Sequence, residues 1–255
     1  MPFGVVGKAG PVNCLIVGAS GGLGRALSVA LAEKGHNLLL CASDERDLRA
    51  LAGDLALRFN IRAEIATCSI RSGEPWLAKL VAAAAVFPHI DGLFFPIGFS
   101  SDDDNGTLDE THSRALVEAN LLSVMLIVST FLPKLIAQKK GWIVGFGSIA
   151  AVRGRRSNII YSAAKRALAS YFESLGHLLW KSGVGVQFYQ MGYIDTQQSF
   201  GRRLLFPKCS PEAAAQFVVA HLNSGFALRN YPRFWSLITL AVRYLPWTLF
   251  KRLNF

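Results

Sequence analysis

The chain has 255 residues, of which 51% are hydrophobic and 17% are charged. This composition excludes a disordered chain, and the length suits one large domain with a sizeable core but is short for two. The formal net charge of +10 arises from 27 Lys and Arg against 17 Asp and Glu. Two interpretations of this charge stay open: an anionic partner, either nucleic acid or a lipid surface, or a solvated surface that is merely basic.

The four cysteines are widely spaced and lie mostly in apolar runs, without a CxxC pair or a Cys/His cluster. We therefore expect reduced thiols, no metal site and a cytoplasmic location. The first twelve residues do not have the long apolar stretch of a signal peptide, and no run of 18 apolar residues is free of charge. Neither a leader nor a spanning helix is expected.

Strand-length apolar runs alternate with helix-length segments along the chain. This alternation predicts an α/β fold in a single domain, a Rossmann-type doubly wound parallel sheet. The predicted strands are 12–18, 36–42, 63–69, 91–97, 141–148 and 183–190, and the predicted helices are 22–34, 44–59, 73–86, 108–139, 158–181 and 211–223. We predict a catalytic domain over 1–228 and a separate C-terminal tail over 229–255.

Glycines cluster between the first predicted strand and its helix, at Gly18, Gly22 and Gly24. Glycine permits a positive φ and a close approach of the backbone to a ligand, and the N–H groups at a helix start favour phosphate. The spacing differs from the simple G-x-G-x-x-G pattern, but its place in a βαβ unit predicts the phosphate site of a dinucleotide.

The end of the second strand should distinguish a ribose 2′-hydroxyl from a 2′-phosphate. Asp44 stands one step into the helix start, where capping the helix is its expected role. Ser43, Arg25 and Arg46 could accommodate a phosphate, so we favour NADP over NAD.

The loop 100–107 is rich in acids and superficially resembles a calcium loop. Ser113 stands where the essential glutamate of such a loop would be, so a solvated loop is expected. The run Arg-Gly-Arg-Arg at 153–156 could meet an anionic group of a substrate or could be a surface charge run, and both interpretations stay open.

Ser148 ends the fifth strand, and Tyr161 and Lys165 lie four residues apart on the following helix. That spacing puts the phenol and the ammonium on one helix face, where a cation lowers the pKa of a neighbouring phenol. The combination predicts proton exchange by a tyrosine near neutral pH.

These motifs resemble those of the short-chain dehydrogenase/reductase family over roughly residues 11–225. The resemblance implies that Tyr161 protonates the nascent alkoxide and that Lys165 depresses its pKa while binding the nicotinamide ribose. Ser148 would hold the substrate carbonyl oxygen, and Asn120 would organise a water that links the lysine to solvent.

The same resemblance implies the cofactor contacts. The family's Pro-Gly segment after the sixth strand is altered, because Met191 replaces the proline, while the threonine position is kept. The family's Asn-Asn-Ala-Gly at the end of strand four reads Phe95, Pro96, Ile97 and Gly98 here, and only the glycine is kept, so we expect a bound but weakened cofactor. The implied cofactor-binding residues are Gly18, Ser20, Gly22, Leu23, Gly24, Ser43, Gly98, Tyr161, Lys165, Gly192, Ile194 and Thr196.

The tail departs from the short final strand that is usual in the family. The chain contains no acidic residue after Glu212, and the tail is rich in aromatic, aliphatic and basic side chains. It could lie on a membrane, pack across a homodimer or wall the substrate pocket, or complete the core of its own subunit. We favour membrane-surface or lipid-substrate association through residues 230–255, since apolar bulk and basic charge occur together.

The prediction is an NAD(P)-dependent oxidoreductase that interconverts a ketone and a secondary alcohol, acting as a reductase of a hydrophobic substrate. The resemblance suggests a homodimer or homotetramer formed through the long helices at 108–139 and 158–181. The alternative is a catalytically weak regulatory or scaffold protein with the same fold. No nucleic acid partner is expected, since no recognition helix or basic stacking platform is present.

Overall fold

Seven parallel strands form one sheet, in the order β3-β2-β1-β4-β5-β6-β7. The structure is a computed structural model that describes residues 12–70, 75–199, 201 and 206–252. The order reverses between β1 and β4, which opens a crevice at the carboxyl ends of these strands. The strands are β1 Asn13–Val17, β2 Asn37–Ala42, β3 Ala63–Thr67, β4 Gly92–Phe95, β5 Gly141–Ser148, β6 Val184–Met191 and β7 Ala227–Tyr231.

Helices cover both faces of the sheet. One face packs against α3, α5 and α6, and the other against α1, α2 and α7, so that each face has its own apolar core. The central strands are buried on both sides, which explains why their apolar residues do not alternate. The helices are α1 Gly22–Ala32, α2 Glu45–Phe59, α3 Trp76–Ala84, α4 Glu110–Val117, α5 Ser123–Gln138, α6 Ile159–Leu179, α7 Pro211–Ala220, α8 Trp235–Tyr244 and α9 Trp247–Phe250. The predicted single-domain doubly wound fold is confirmed.

The helix predicted over 108–139 is one continuous rod with a widened turn. A π-helical turn at Glu118–Leu122 joins α4 to α5, and Pro133 lies inside α5 without ending it. Within the described residues, Glu110–Gln138 is the one helix long and apolar enough to cross a membrane, and 44% of its most apolar stretch is buried inside the protein. This helix packs against the core through Val124, Ile127 and Phe131.

The expectation that the tail does not contain a final strand is wrong. β7 pairs in parallel with β6, from Gln187 opposite Ala227 to Met191 opposite Tyr231. The strand has only five residues, forms the edge of the sheet and includes Arg229 and Asn230, so its apolar signal is weak. The boundary predicted at 228 falls within β7, and the sheet therefore continues into the segment that was assigned to the tail.

Candidate active site

A cavity of about 590 Å³ opens at the carboxyl ends of the strands, on the reversal of the strand order. Ten of the predicted site residues line it, whereas Gly18, Gly24, Ser43 and Asn120 lie outside its wall. The ten are Ser20, Gly22, Leu23, Gly98, Ser148, Tyr161, Lys165, Gly192, Ile194 and Thr196.

The turn after β1 is shaped by glycines that have no room for a side chain. Gly18 adopts a φ of +95°, and a Cβ on it would lie 3.0 Å from the Ile97 Cα. A Cβ on Gly24 would lie 2.0 Å from the carbonyl oxygen of Gly18. Both glycines therefore form the turn itself, which holds the start of α1 against the end of β4 and leaves Gly22 at the cavity.

Lys165 is buried at the floor of the cavity. Its Nζ donates to the carbonyl oxygens of Ile97 at 2.9 Å and of Phe146 at 3.1 Å. Ile97 lies in the loop just after β4, and Phe146 lies in β5. Burial lowers the pKa of Lys165 from its ordinary value of 10.5 to about 8. The lysine is thus fixed by two strand ends, and its Nζ lies 6.0 Å from the centre of the Tyr161 ring.

Tyr161 meets Ser148 and Arg155 at the cavity wall. Burial raises the pKa of the Tyr161 phenol, while a hydrogen bond with Ser148 and the positive charge of Arg155 oppose this rise. The sequence pattern predicted Lys165 as the cation that lowers this pKa. In the structure the positive charge of Arg155 acts in this direction, while the Lys165 Nζ donates to two backbone carbonyls. The effect of Lys165 on the phenol stays a prediction.

Arg155 comes from the Arg-Gly-Arg-Arg run and lines the same cavity. Burial lowers the pKa of its guanidinium, and the nearby hydroxyls of Tyr193 and Tyr161 oppose this effect. Its Nε is buried without a hydrogen-bond partner among the described atoms. The sequence alone is compatible with either an anion contact or a surface charge run. The fold shows that Arg155 turns toward the cavity.

Asn120 lies in the π-helical turn and is completely buried. Its amide nitrogen donates to the carbonyl oxygens of Phe99 at 2.6 Å and Leu116 at 2.9 Å, and its carbonyl oxygen accepts from the Phe99 N–H at 3.1 Å. The side chain therefore ties the loop after β4 to the long helix. π-helical turns are frequent at functional sites, where they redirect one side chain.

Asp104 is a site residue that sequence analysis missed. The loop 100–107 was expected to be solvated, but the Asp104 side chain is 1% exposed and caps the start of α6. Its carboxylate accepts from the backbone N–H groups of Ile160 at 3.0 Å and Tyr161 at 2.9 Å. In a run of three aspartates, no local signal distinguishes the buried one, because its partners lie more than fifty residues away.

Asp44, which follows β2, caps α2 as predicted, because its carboxylate accepts from the Asp47 N–H at 3.0 Å. Arg25 is held beside the glycine turn, since its Nε donates to the Ser20 carbonyl at 2.8 Å and its Nη2 to Asp47 at 2.7 Å. Ser43 and Arg46 are exposed at the same edge. This edge thus combines a hydroxyl and two arginines with the carboxylates of Asp44 and Asp47.

The chemistry of the cavity fits an anionic dinucleotide. Its described lining contains two cations, Lys165 and Arg155, and neither Asp nor Glu. The glycine turn lies at one side, and the Ser148, Tyr161 and Lys165 side chains lie at the other. A Rossmann-type sheet with this arrangement at its crevice defines an oxidoreductase that uses a nicotinamide cofactor.

Comparison with known proteins agrees with this class. The family model described as short chain dehydrogenase matches residues 13–203, and the chain belongs to this family. The oxidoreductase YmfI of Bacillus subtilis is 33% identical over 190 residues, covering 72% of this chain and 75% of that protein.

A very-long-chain 3-oxoacyl-CoA reductase of Podospora anserina is 30% identical over 235 residues, covering 87% of this chain and 67% of that protein. Among solved structures, the L-sorbose reductase of Gluconobacter frateurii in complex with NADPH and L-sorbose has a TM-score of 0.78 at 20% identity. That match covers 87% of this chain and 94% of the reductase, and at this identity it shows the shared fold. The protein is an NAD(P)-dependent dehydrogenase/reductase.

Proposed function

We propose that the protein reduces a ketone on a hydrophobic substrate to a secondary alcohol with NADPH, using Tyr161 as the proton donor. The observation that carries this proposal is the contact of the Tyr161 phenol with Ser148 at the cavity wall, beside the buried Lys165. The nicotinamide, when bound, supplies the hydride for reduction or accepts it for oxidation.

Each side chain then has one task. Ser148 places the carbonyl oxygen of the substrate beside the Tyr161 hydroxyl, which delivers the proton as negative charge develops on that oxygen. Lys165 binds the nicotinamide ribose and supports the tyrosine through it, since in the structure its Nζ is held by backbone carbonyls. Asn120 keeps the loop after β4 in place through Phe99, and this loop lines the cavity in which the cofactor would lie.

The choice of NADPH is supported by the end of β2. Asp44 is used as a helix cap, Ser43 and Arg46 are exposed beside it, and Arg25 lies at the glycine turn; these three side chains could contact a ribose 2′-phosphate. Competition between NADH and NADPH in a fluorescence titration tests this choice. We expect Arg46→Glu to weaken NADPH binding and to leave NADH binding nearly unchanged, and equal effects on both cofactors would contradict the assignment.

A hydrophobic substrate is supported by the apolar side chains of the cavity, among them Phe99, Ile149 and Met191. The Podospora relative, which is named for reduction of very-long-chain 3-oxoacyl-CoA, makes a ketone on an acyl chain the first compound class to assay.

We also propose a homodimer or homotetramer, because α5 and α6 expose apolar residues such as Ile136 and Leu178. Light scattering after size-exclusion chromatography measures that state.

The decisive experiment compares Tyr161→Phe with Tyr171→Phe, a matched loss of a hydroxyl on the same helix but away from the cavity lining. We expect Tyr161→Phe to bind NADPH like the wild type and to lose turnover on a ketone panel, whereas Tyr171→Phe keeps both. Turnover by Tyr161→Phe at the wild-type rate would remove this tyrosine from the mechanism. Binding of NADPH by the wild type without turnover of any ketone would favour the alternative, a cofactor-binding regulatory protein.

A further inference from the structure

The helices after β7 present an apolar outer surface that the protein does not cover. We call it the outer face, defined by Phe234, Leu237, Leu240, Tyr244 and Trp247. These side chains are 41%, 76%, 56%, 75% and 65% exposed. The spacing of Leu237, Leu240 and Tyr244 puts them on one face of α8. An exposed apolar face differs from the scattered exposed residues of ordinary surfaces and marks an interaction site.

The opposite side of α8 is firmly attached to the rest of the protein. Trp235 is 4% exposed and packs edge-on against Tyr193 and Phe206, with ring centres 5.4 Å and 4.8 Å away. A Cβ on Gly192 would lie 2.1 Å from the Trp235 Nε1, so the indole lies directly on the backbone of the cavity wall. The inner side of α8 therefore completes the core of the protein through Trp235, and the outer face has no partner among the described residues.

Arg153 fixes the end of the same helix. Its Nη1 donates to the carbonyl oxygens of Val242, at 3.1 Å, and of Leu245, and its guanidinium lies 4.1 Å from the centre of the Phe250 ring. The cation satisfies carbonyls at the carboxyl end of α8 and joins α8 to α9. The outer face is thus held in a fixed orientation on the body of the protein.

Exposed basic side chains occur in the same segment as the outer face. Arg233, Arg243, Lys251 and Arg252 are all exposed, and no Asp or Glu follows Glu212 in the sequence. A second copy that docked through the same face would bring like charges together, because a two-fold contact pairs a surface with itself. An anionic lipid surface complements the charge and also accepts aromatic and aliphatic side chains at the level of its headgroups.

We propose that the outer face of α8 and α9 docks the protein on an anionic lipid bilayer, with Leu237, Leu240 and Trp247 entering the interface. The side of the protein that carries the Gly192 wall of the cavity then lies next to the membrane. The docking itself does not depend on the proposed reductase activity, and its test is a binding measurement.

The test is flotation of the full chain with vesicles of phosphatidylcholine alone and of phosphatidylcholine mixed with phosphatidylserine. We expect binding to the anionic vesicles that weakens as salt is raised, and much weaker binding to the neutral ones. The variant Leu237→Gln/Leu240→Gln keeps the net charge and should bind anionic vesicles at least about tenfold more weakly. Arg233→Gln/Arg243→Gln should also bind more weakly and should lose part of the salt dependence.

The matched control is Leu57→Gln/Val86→Gln, which removes two apolar side chains that are 87% and 42% exposed, away from the outer face and from α5 and α6. It should bind like the wild type. Circular dichroism melting of each variant checks that the fold is intact, which is expected because all four side chains are exposed. Equal binding of the wild type and the outer-face variant would overturn the proposal. Dissociation of a dimer by the outer-face variant, without vesicle binding by the wild type, would overturn it in favour of a contact between two copies.

Discussion

Asp104→Asn should lower both the stability of the fold and the rate of turnover. The two hydrogen bonds from Ile160 and Tyr161 to this buried carboxylate are charge-assisted, and bonds of this kind contribute about 1.5–3 kcal/mol each. Loss of both would cost about 3–6 kcal/mol, a large part of the roughly 5–15 kcal/mol that stabilises a typical protein. Asparagine keeps one acceptor oxygen and loses the charge at the helix start, so we expect a loss of about 2–3 kcal/mol.

Urea denaturation measures the loss of unfolding free energy, and steady-state kinetics measures turnover. Asp109→Asn is the matched control, because Asp109 also caps a helix nearby in the chain, accepting from the His112 N–H at 2.8 Å, but its side chain is 63% exposed. The control should change stability by less than about 0.5 kcal/mol. Equal losses in the two variants would refute the reasoning, because the difference in burial would then have no consequence. We expect kcat to fall in Asp104→Asn with little change in NADPH affinity, since the capped N–H groups hold the backbone of Tyr161.

The remaining predictions concern the two cations and the loop after β4. Arg155→Met should raise the pKa of Tyr161 further, because a positive charge that favours the phenolate is lost; the pH profile of alcohol oxidation should then move to higher pH, while Arg156→Met, at an exposed neighbour, should leave it in place. Burial lowers the pKa of Lys165 from 10.5 to about 8 in the folded protein, so between these two pH values the unfolded chain binds more protons and the unfolding free energy rises with pH. Urea denaturation across this pH window should show a smaller rise for Lys165→Met. The same rise in both proteins would contradict a lowered pKa of Lys165. Gly98→Val should weaken NADPH binding while the melting temperature is kept, because a Cβ here has only ordinary contacts, the nearest being Lys165 Nζ at 3.9 Å; unchanged affinity by titration would refute a close approach of the cofactor.

The fold was predictable because its central strands are buried on both faces and therefore appear as continuous apolar runs. Each of the six predicted strands overlaps an observed strand, and β5 has the predicted bounds. The grouping of Ser148, Tyr161 and Lys165 was also predictable, since a strand end and a helical spacing of four place them on one side of the crevice.

The interactions that the sequence did not reveal join residues far apart in the chain. Asp104 acts on the start of α6, and Arg153 acts on carbonyls of α8 that lie 89 and 92 residues further on. Arg155 turns inward to Tyr161, although the neighbouring Arg156 is exposed. Composition and periodicity describe one element at a time, so they cannot assign such partners. The edge strand β7 was not predicted for another reason. It is held in the sheet by pairing with β6, and its own residues give only a weak apolar signal.

The loop after β4 shows how the structure compensates for an altered motif. Where the resemblance led us to expect asparagines, Phe95 is fully buried in the core and Pro96 has no N–H to donate. The backbone nevertheless remains anchored, since the Ile97 carbonyl accepts from Lys165 and both backbone polar groups of Phe99 bond to Asn120. The loop is thus anchored by side chains of the two long helices. The reduced cofactor affinity that we expect should therefore come from lost contacts with the ligand rather than from a loosened loop.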